Sequence, residues 1–264
     1  MGITAGAAAV FISLALLLSV NQGLHTPESA QCYGGKVYVS NIGNPPPDGK
    51  DGDGFISLLS EDGKVIKAKF VTGLNAPKGI AFGEGKLFVA DIDRIVVIDP
   101  EKGEIVKSIP VPGSKFLNDT AFYNGRVYVS DTQTNTIYAV DPQRGKVKVF
   151  FRSPSLQGPN GLAFLPDGAL IVVSWGGGKV FKLKGGRLVT LAEGFKNLDG
   201  VVVTEDGTVI FSDFSDGKVY ALKGNKIKLL VSGLTSPADI GYCNGKLFIP
   251  EFLFNDVKVF RVKR

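Results

Sequence analysis

One unit, copied six times, constrains this chain more than any other feature of it. Each copy has a Gly/Pro/Asn-rich entry, continues as a short apolar run and a Gly-containing turn, and ends in a β-branched run closed by a small and then a polar residue. Gly158–Phe164 followed by Ile171–Trp175 is the clearest copy. Pro77–Phe82 with Lys86–Asp91, Leu117–Phe122 with Arg126–Asp131, Leu198–Val203 with Thr208–Asp213 and Pro237–Tyr242 with Lys246–Glu251 repeat it, and Pro27–Cys32 with Lys36–Asn41 begins the series. Aligned, the copies put Glu28, Lys78, Asn118, Asn160, Asp199 and Ala238 in one slot, at spacings of 50, 40, 42, 39 and 39 residues.

A period near 40 residues with four strand candidates in each unit predicts a β-propeller blade. Blade three shows all four, at Asp119–Phe122, Val127–Ser130, Thr136–Val140 and Val147–Phe151, separated by Gly- and Pro-bearing turns. The expectation is an all-β, six-bladed propeller with four-stranded blades over residues 25–264. Before it, residues 1–24 read as a signal peptide or membrane anchor. Ala5–Val20 carries no charge and the first basic residue is Lys36, so the folded part is expected to be exported, periplasmic or extracellular, and tied to a membrane only if that segment stays uncleaved. Ser29-Ala-Gln-Cys32 is a weak lipobox. The last copy holds only three strands before Arg264; the residues able to supply a fourth, Leu16–Leu24, overlap the expected leader.

Thirty Lys and Arg against 25 Asp and Glu give a net charge of +5. The basic residues are scattered without interleaved aromatics, which argues against a nucleic-acid surface. Oligomeric state is not legible. Cys32 and Cys243 fall in the first strands of the first and last copies, neighbours in a closed ring, and two readings stand: a disulfide in an oxidising compartment, or two buried thiols. The long first spacing comes from an insertion at Asn44–Gly54. Its Asp51-Gly-Asp53-Gly54 is similar to part of an EF-hand loop, but Gly49 stands where the first carboxylate belongs and Ser60 where the bidentate Glu belongs, so a flexible polar loop is expected.

The first strand of a blade begins, and the second ends, on the same face, so the slot is expected to ring one mouth of the central channel. Asn41, Asp91, Asp131, Trp175, Asp213 and Glu251 should form a second circle near it. Glu28, Asn118, Asn160 and Asp199 offer hard oxygen donors that suit Ca²⁺ and also admit Mg²⁺, Mn²⁺ or Zn²⁺; any one of them alone reads as turn chemistry. The only histidine, His25, precedes the first blade, which leaves no His-based nucleophilic dyad or triad. Trp175 is a candidate for stacking on a ligand.

On these residues the chain resembles the senescence marker protein (regucalcin), gluconolactonase and luciferin-regenerating-enzyme family of six-bladed propellers, from about Pro27 onward. Glu28-Ser29 stands for the family's Glu-Gly-Pro, Asn118-Asp119-Thr120 for its Asn-Asp-Gly, Asn160-Gly161-Leu162 for its Asn-Gly-Leu and Leu198-Asp199-Gly200 for its Pro-Asp-Gly. The resemblance implies a divalent metal on Glu28, Asn160 and Asp199. It also implies Asn118 in contact with substrate or metal, and Asp199 as general base in the hydrolysis of a small lactone or ester. Phe116-Leu117 replaces the family's Arg before Asn-Asp, and Lys78 occupies a slot position where it can donate to an anionic substrate or neutralise the carboxylates. The competing expectations are a non-catalytic propeller that binds a ligand or protein and, more weakly, a strictosidine-synthase-like or lyase activity.

Overall fold

The computed structural model describes residues 12–263. Its sheets follow from the strand pattern. The second strand of each blade is a near-continuous β-branched run, such as Val127–Val129, buried on both faces, while the outer strands alternate and stay half-exposed. Four of the hairpins between first and second strands turn on two residues with positive φ, Gly34-Gly35, Glu84-Gly85, Asn124-Gly125 and Asn244-Gly245, the left-handed pair a tight two-residue turn requires.

Six four-stranded antiparallel sheets result. Blade one holds Pro27–Tyr33, Lys36–Asn41, Gly54–Ser60 and Val65–Leu74, and blade two Pro77–Gly83, Lys86–Asp91, Arg94–Asp99 and Glu104–Pro110. Blade three holds Leu117–Tyr123, Arg126–Asp131, Thr136–Asp141 and Lys146–Arg152, and blade four Pro159–Phe164, Leu170–Ser174, Lys179–Lys184 and Arg187–Glu193. Blade five holds Leu198–Val203, Val209–Asp213, Lys218–Lys223 and Lys226–Val231, and blade six contributes Gly241–Cys243, Lys246–Glu251 and Asp256–Lys263. The core is a set of wedges between neighbouring blades; Phe88 and Ile95 of blade two, for instance, pack with Val127 and Tyr138 of blade three.

Blade six is completed from the start of the chain. Ser13–Val20 pairs antiparallel with Asp256–Lys263, from Ser13 opposite Lys263 to Val20 opposite Val257. Ile12 packs into the wedge toward blade five and Val20 and Leu24 into the wedge toward blade one. Each of those buried side chains is worth roughly 1.5–3 kcal/mol. The second half of the stretch expected as leader or anchor is therefore, in this fold, an outer strand; its Leu16 and Leu17 face solvent. Residues 1–11, the rest of that expectation, lie outside the described residues. No helix among the described residues is long and apolar enough to cross a membrane.

The ring is fastened where blade six meets blade one. Asp239 N donates to Glu28 O at 2.9 Å, Ser29 Oγ donates to the Asp239 carboxylate, and Cys32 and Cys243 form a disulfide. The structure thus decides between the two readings of the cysteines.

Candidate functional site

The slot works because the inner strands of blades one to five are irregular there. Register slips between Pro77 and Ile80, Leu117 and Thr120, Pro159 and Leu162, and Leu198 and Val201, with a smaller slip between Pro27 and Ser29. Such a bulge re-aims the residues inside it, here the slot residue and its successor. The successor is glycine where the next blade presses close. A Cβ on Gly161 would lie 2.4 Å from Asp199 O, and one on Gly200 2.4 Å from Ile240 N.

Glu28, Lys78, Asn118, Asn160, Trp175 and Asp199 all line one cavity of about 340 Å³, together with Ile42, Pro47, Phe116, Thr132, Phe214 and Phe252. The structure brings every candidate site residue into that space, and the five slot side chains are buried. Glu28 Oε2, Asn118 Oδ1, Asn160 Oδ1 and Asp199 Oδ1 are buried oxygens without a hydrogen-bond partner. Buried oxygens left bare are costly, and here four share one cavity. Asn118 is held with its oxygen free by donating from Nδ2 to Thr132 Oγ1 at 3.2 Å.

Two further carboxylates lie at the successor positions, and only one of them is inert. Asp119 accepts from Thr120 N and Leu162 N, both at 2.6 Å, so it stitches blade three to blade four. Asp239 binds Ser29 through one oxygen and leaves Oδ1 bare. Desolvation, with repulsion from Asp199 and Asp239, holds the Glu28 carboxyl well above its ordinary range. Desolvation and Asp239 do the same to Asp199, against the opposing pull of the Asn160 amide. Asp119 is raised by burial and by Asp239, and burial pushes Asp239 up to about 7.

Lys78 is the single ammonium in this group. Its Nζ donates to Pro47 O at 2.7 Å and Ala76 O at 3.1 Å and sits 4.4 Å from the centre of the Phe116 ring. No ion pair joins it to Glu28 or Asp199 among the described residues. Burial lowers its pKa to about 8, with Glu28 opposing the shift. Pro47 belongs to the insertion, so that loop reaches the cavity and supplies the lysine's acceptor, a role that its polar, Gly- and Pro-rich composition does not reveal.

The second circle differs from expectation in one member. Asp91 accepts from Asn75 N and Ala76 N, Asp131 from Lys115 N and Phe116 N, and Asp213 from Lys196 N and Asn197 N. Glu251 accepts from Thr235 N at 2.5 Å, and Asn41 Oδ1 from His25 N at 2.9 Å. These side chains clasp the connection leading into their own blade and are spent there. Pro159 pairs with Ser174 as Leu117 pairs with Asp131, so Ser174 is the true member. Trp175 stands one residue on, in register with Phe214 and Phe252. Its ring lies 5.2 Å from that of Phe214, which lies 5.8 Å from that of Phe252.

Residues 52–193, just over half of the chain, match the family model described as outer membrane protein assembly factor BamB. The chain belongs to that family. No curated protein matches it. Among solved structures, this member of the family is similar to XC5397 from Xanthomonas campestris, described as a gluconolactonase, at TM-score 0.74 and 15% identity over 95% of this chain and 89% of that one. It is also similar to a catalytically inactive His-to-Ala variant of virginiamycin B lyase from Staphylococcus aureus with quinupristin, at TM-score 0.65 and 17% identity over 95% and 99%. A nidogen/laminin complex gives TM-score 0.69 and 16% identity over 94% and 89%. At such identities the likeness establishes the propeller alone, and the three neighbours differ in function.

Proposed function

We propose that this chain is a metal-dependent hydrolase of small lactones or esters, as expected from its resemblance to the regucalcin and gluconolactonase family. The observation that carries the reading is the convergence of bare oxygens from Glu28, Asn118, Asn160 and Asp199 on one cavity. No group of three or more His, Cys, Asp or Glu among the described residues is arranged to hold a metal; the donor set here mixes two carboxylates with two amides, which suits a hard cation such as Ca²⁺. Glu28, Asn160 and Asp199 would hold it, with Asn118 beside it. When bound, such an ion polarises a carbonyl and stabilises negative charge developing on its oxygen.

The protein's own groups supply the rest. Asp199, ionised once its burial is compensated, takes a proton from water as the water oxygen adds to the carbonyl carbon. The ring C–O bond then breaks and the departing oxygen takes that proton, giving a hydroxy acid. Asn118 orients the substrate from its fixed amide, and Lys78 faces the carbonyl end. The disulfide supports an oxidising compartment outside the cytoplasm.

Calorimetry with Ca²⁺, Mn²⁺ and Zn²⁺, paired with a lactone panel, tests the reading. One ion per chain and turnover that is lost in Asp199→Asn are expected; neither ion binding nor turnover would sink it. A second reading, a non-catalytic binding propeller, is favoured by the family match, whose description names an assembly factor. Ion binding without turnover on any substrate is its signature. A lyase like the virginiamycin B neighbour has less support, because the sole histidine, His25, is exposed and does not line the cavity.

A further inference from the structure

We infer that the cavity selects a lactone or ester bearing an apolar ring or short acyl chain and rejects polyhydroxylated sugar lactones; the lactone or ester head rests on the hydrolase reading, the apolar tail does not. Apart from Thr132, the polar side chains of the lining are the five buried slot residues, which form the floor. Above it stand Trp175, Phe214 and Phe252 as a continuous aromatic wall, with Ile42, Pro47 and Phe116 completing the lining. The one hydroxyl on the walls, Thr132 Oγ1, already donates to Pro159 O at 2.9 Å and accepts from Asn118.

Aromatic faces alone do not exclude a sugar, since rings stack on them. A sugar site, however, also meets each ring hydroxyl with a side-chain partner, and these walls have none to spare. With the floor oxygens committed to the ion, a polyol would therefore leave hydroxyls desolvated and unpaired, which is unfavourable. An alkyl or aryl group loses nothing there and gains by leaving water. At the floor, Lys78 has three N–H groups and two protein acceptors, which leaves one donor for a carbonyl oxygen. The volume is at the small end of ligand sites, so the tail is short.

The sequence contains one tryptophan, and Trp175 is in the wall, so its fluorescence reports occupancy independently of turnover. The full chain, with Ca²⁺ present, is titrated with γ-nonalactone, with glucono-δ-lactone and with 2-pentylcyclopentanone, a ketone that cannot be hydrolysed. The alkyl lactone and the ketone are expected to saturate the signal at concentrations roughly tenfold or more below glucono-δ-lactone. Phe214→Ala and Phe252→Ala, each checked for folding by circular dichroism, should narrow that preference. Saturation by the ketone with no hydrolysis of any lactone supports the apolar selectivity and removes the hydrolase reading. Equal or tighter response to glucono-δ-lactone, or no response to either alkyl compound, overturns the inference even if gluconolactone is hydrolysed.

Discussion

Asp239 donates its backbone N–H to the carbonyl of Glu28 across 2.9 Å, so the seam that shuts the ring passes through a residue of the candidate site. Fastening the ring and shaping the cavity are one structural task.

The disulfide at the other end of those inner strands is the covalent part of that fastening. It links residues 211 apart in sequence, and cross-links over long loops remove the most freedom from the unfolded chain. Cys243→Ser is expected to lower stability by about 2–5 kcal/mol, or several degrees in melting temperature. Differential scanning calorimetry of the variant against the oxidised wild type reads this directly, and an unchanged melting point contradicts it.

Asn160→Ala deletes a bare amide oxygen without adding charge. Ion affinity is expected to fall about tenfold or more, roughly 1.4 kcal/mol per tenfold, with a smaller loss of stability in chelator, where only the amide's hydrogen bond to Asp199 is lost. Titration calorimetry separates the two quantities.

Lys78→Met should act in the opposite sense. The ammonium competes with a divalent ion for the field of Glu28 and its neighbours, and its stem is buried at 2% exposure, a space methionine fills. Removing the charge is expected to tighten Ca²⁺ binding by about tenfold. Weaker binding would mean that Lys78 organises the site instead of competing in it.

Without a cation, stability should fall as pH rises from about 4 to about 7. Asp239 has an ordinary value of 3.8 and is raised to about 7 in the fold, so between those limits the native state binds more protons than the unfolded one and loses stability with each step upward. Glu28, Asp119 and Asp199 shift in the same direction. The exposed Asp167, lowered to about 2 by Lys184, works the other way and only below about pH 4. Melting temperatures measured in chelator across this range check the slope, and Ca²⁺ at pH 7 should reverse it. A rise from pH 4 to 7 in chelator goes against it.

Much of this was legible because blades repeat. A fixed period located the slot, and the strands of blade three lie within two residues of where the pattern puts them. Asp239 escaped notice because its blade's slot position holds Ala238, and nothing in composition marks the next residue as the partner of Ser29. Trp175 was placed one residue early because Ser174 lacks the carboxylate that marks the strand end in four of the other blades. The closing strand was anticipated near Leu16–Leu24 and lies at Ser13–Val20; an uncharged apolar run reads equally as a leader and as an outer strand, and only pairing with Asp256–Lys263 distinguishes them.

That pairing also sets an order of events during synthesis. Ser13–Val20 leaves the ribosome before any of the strands it joins, and must wait, unpaired, until Lys263 has emerged. Five blades can form in turn while the sixth stands open, so the cavity acquires its final shape only once Asp256–Lys263 has been made.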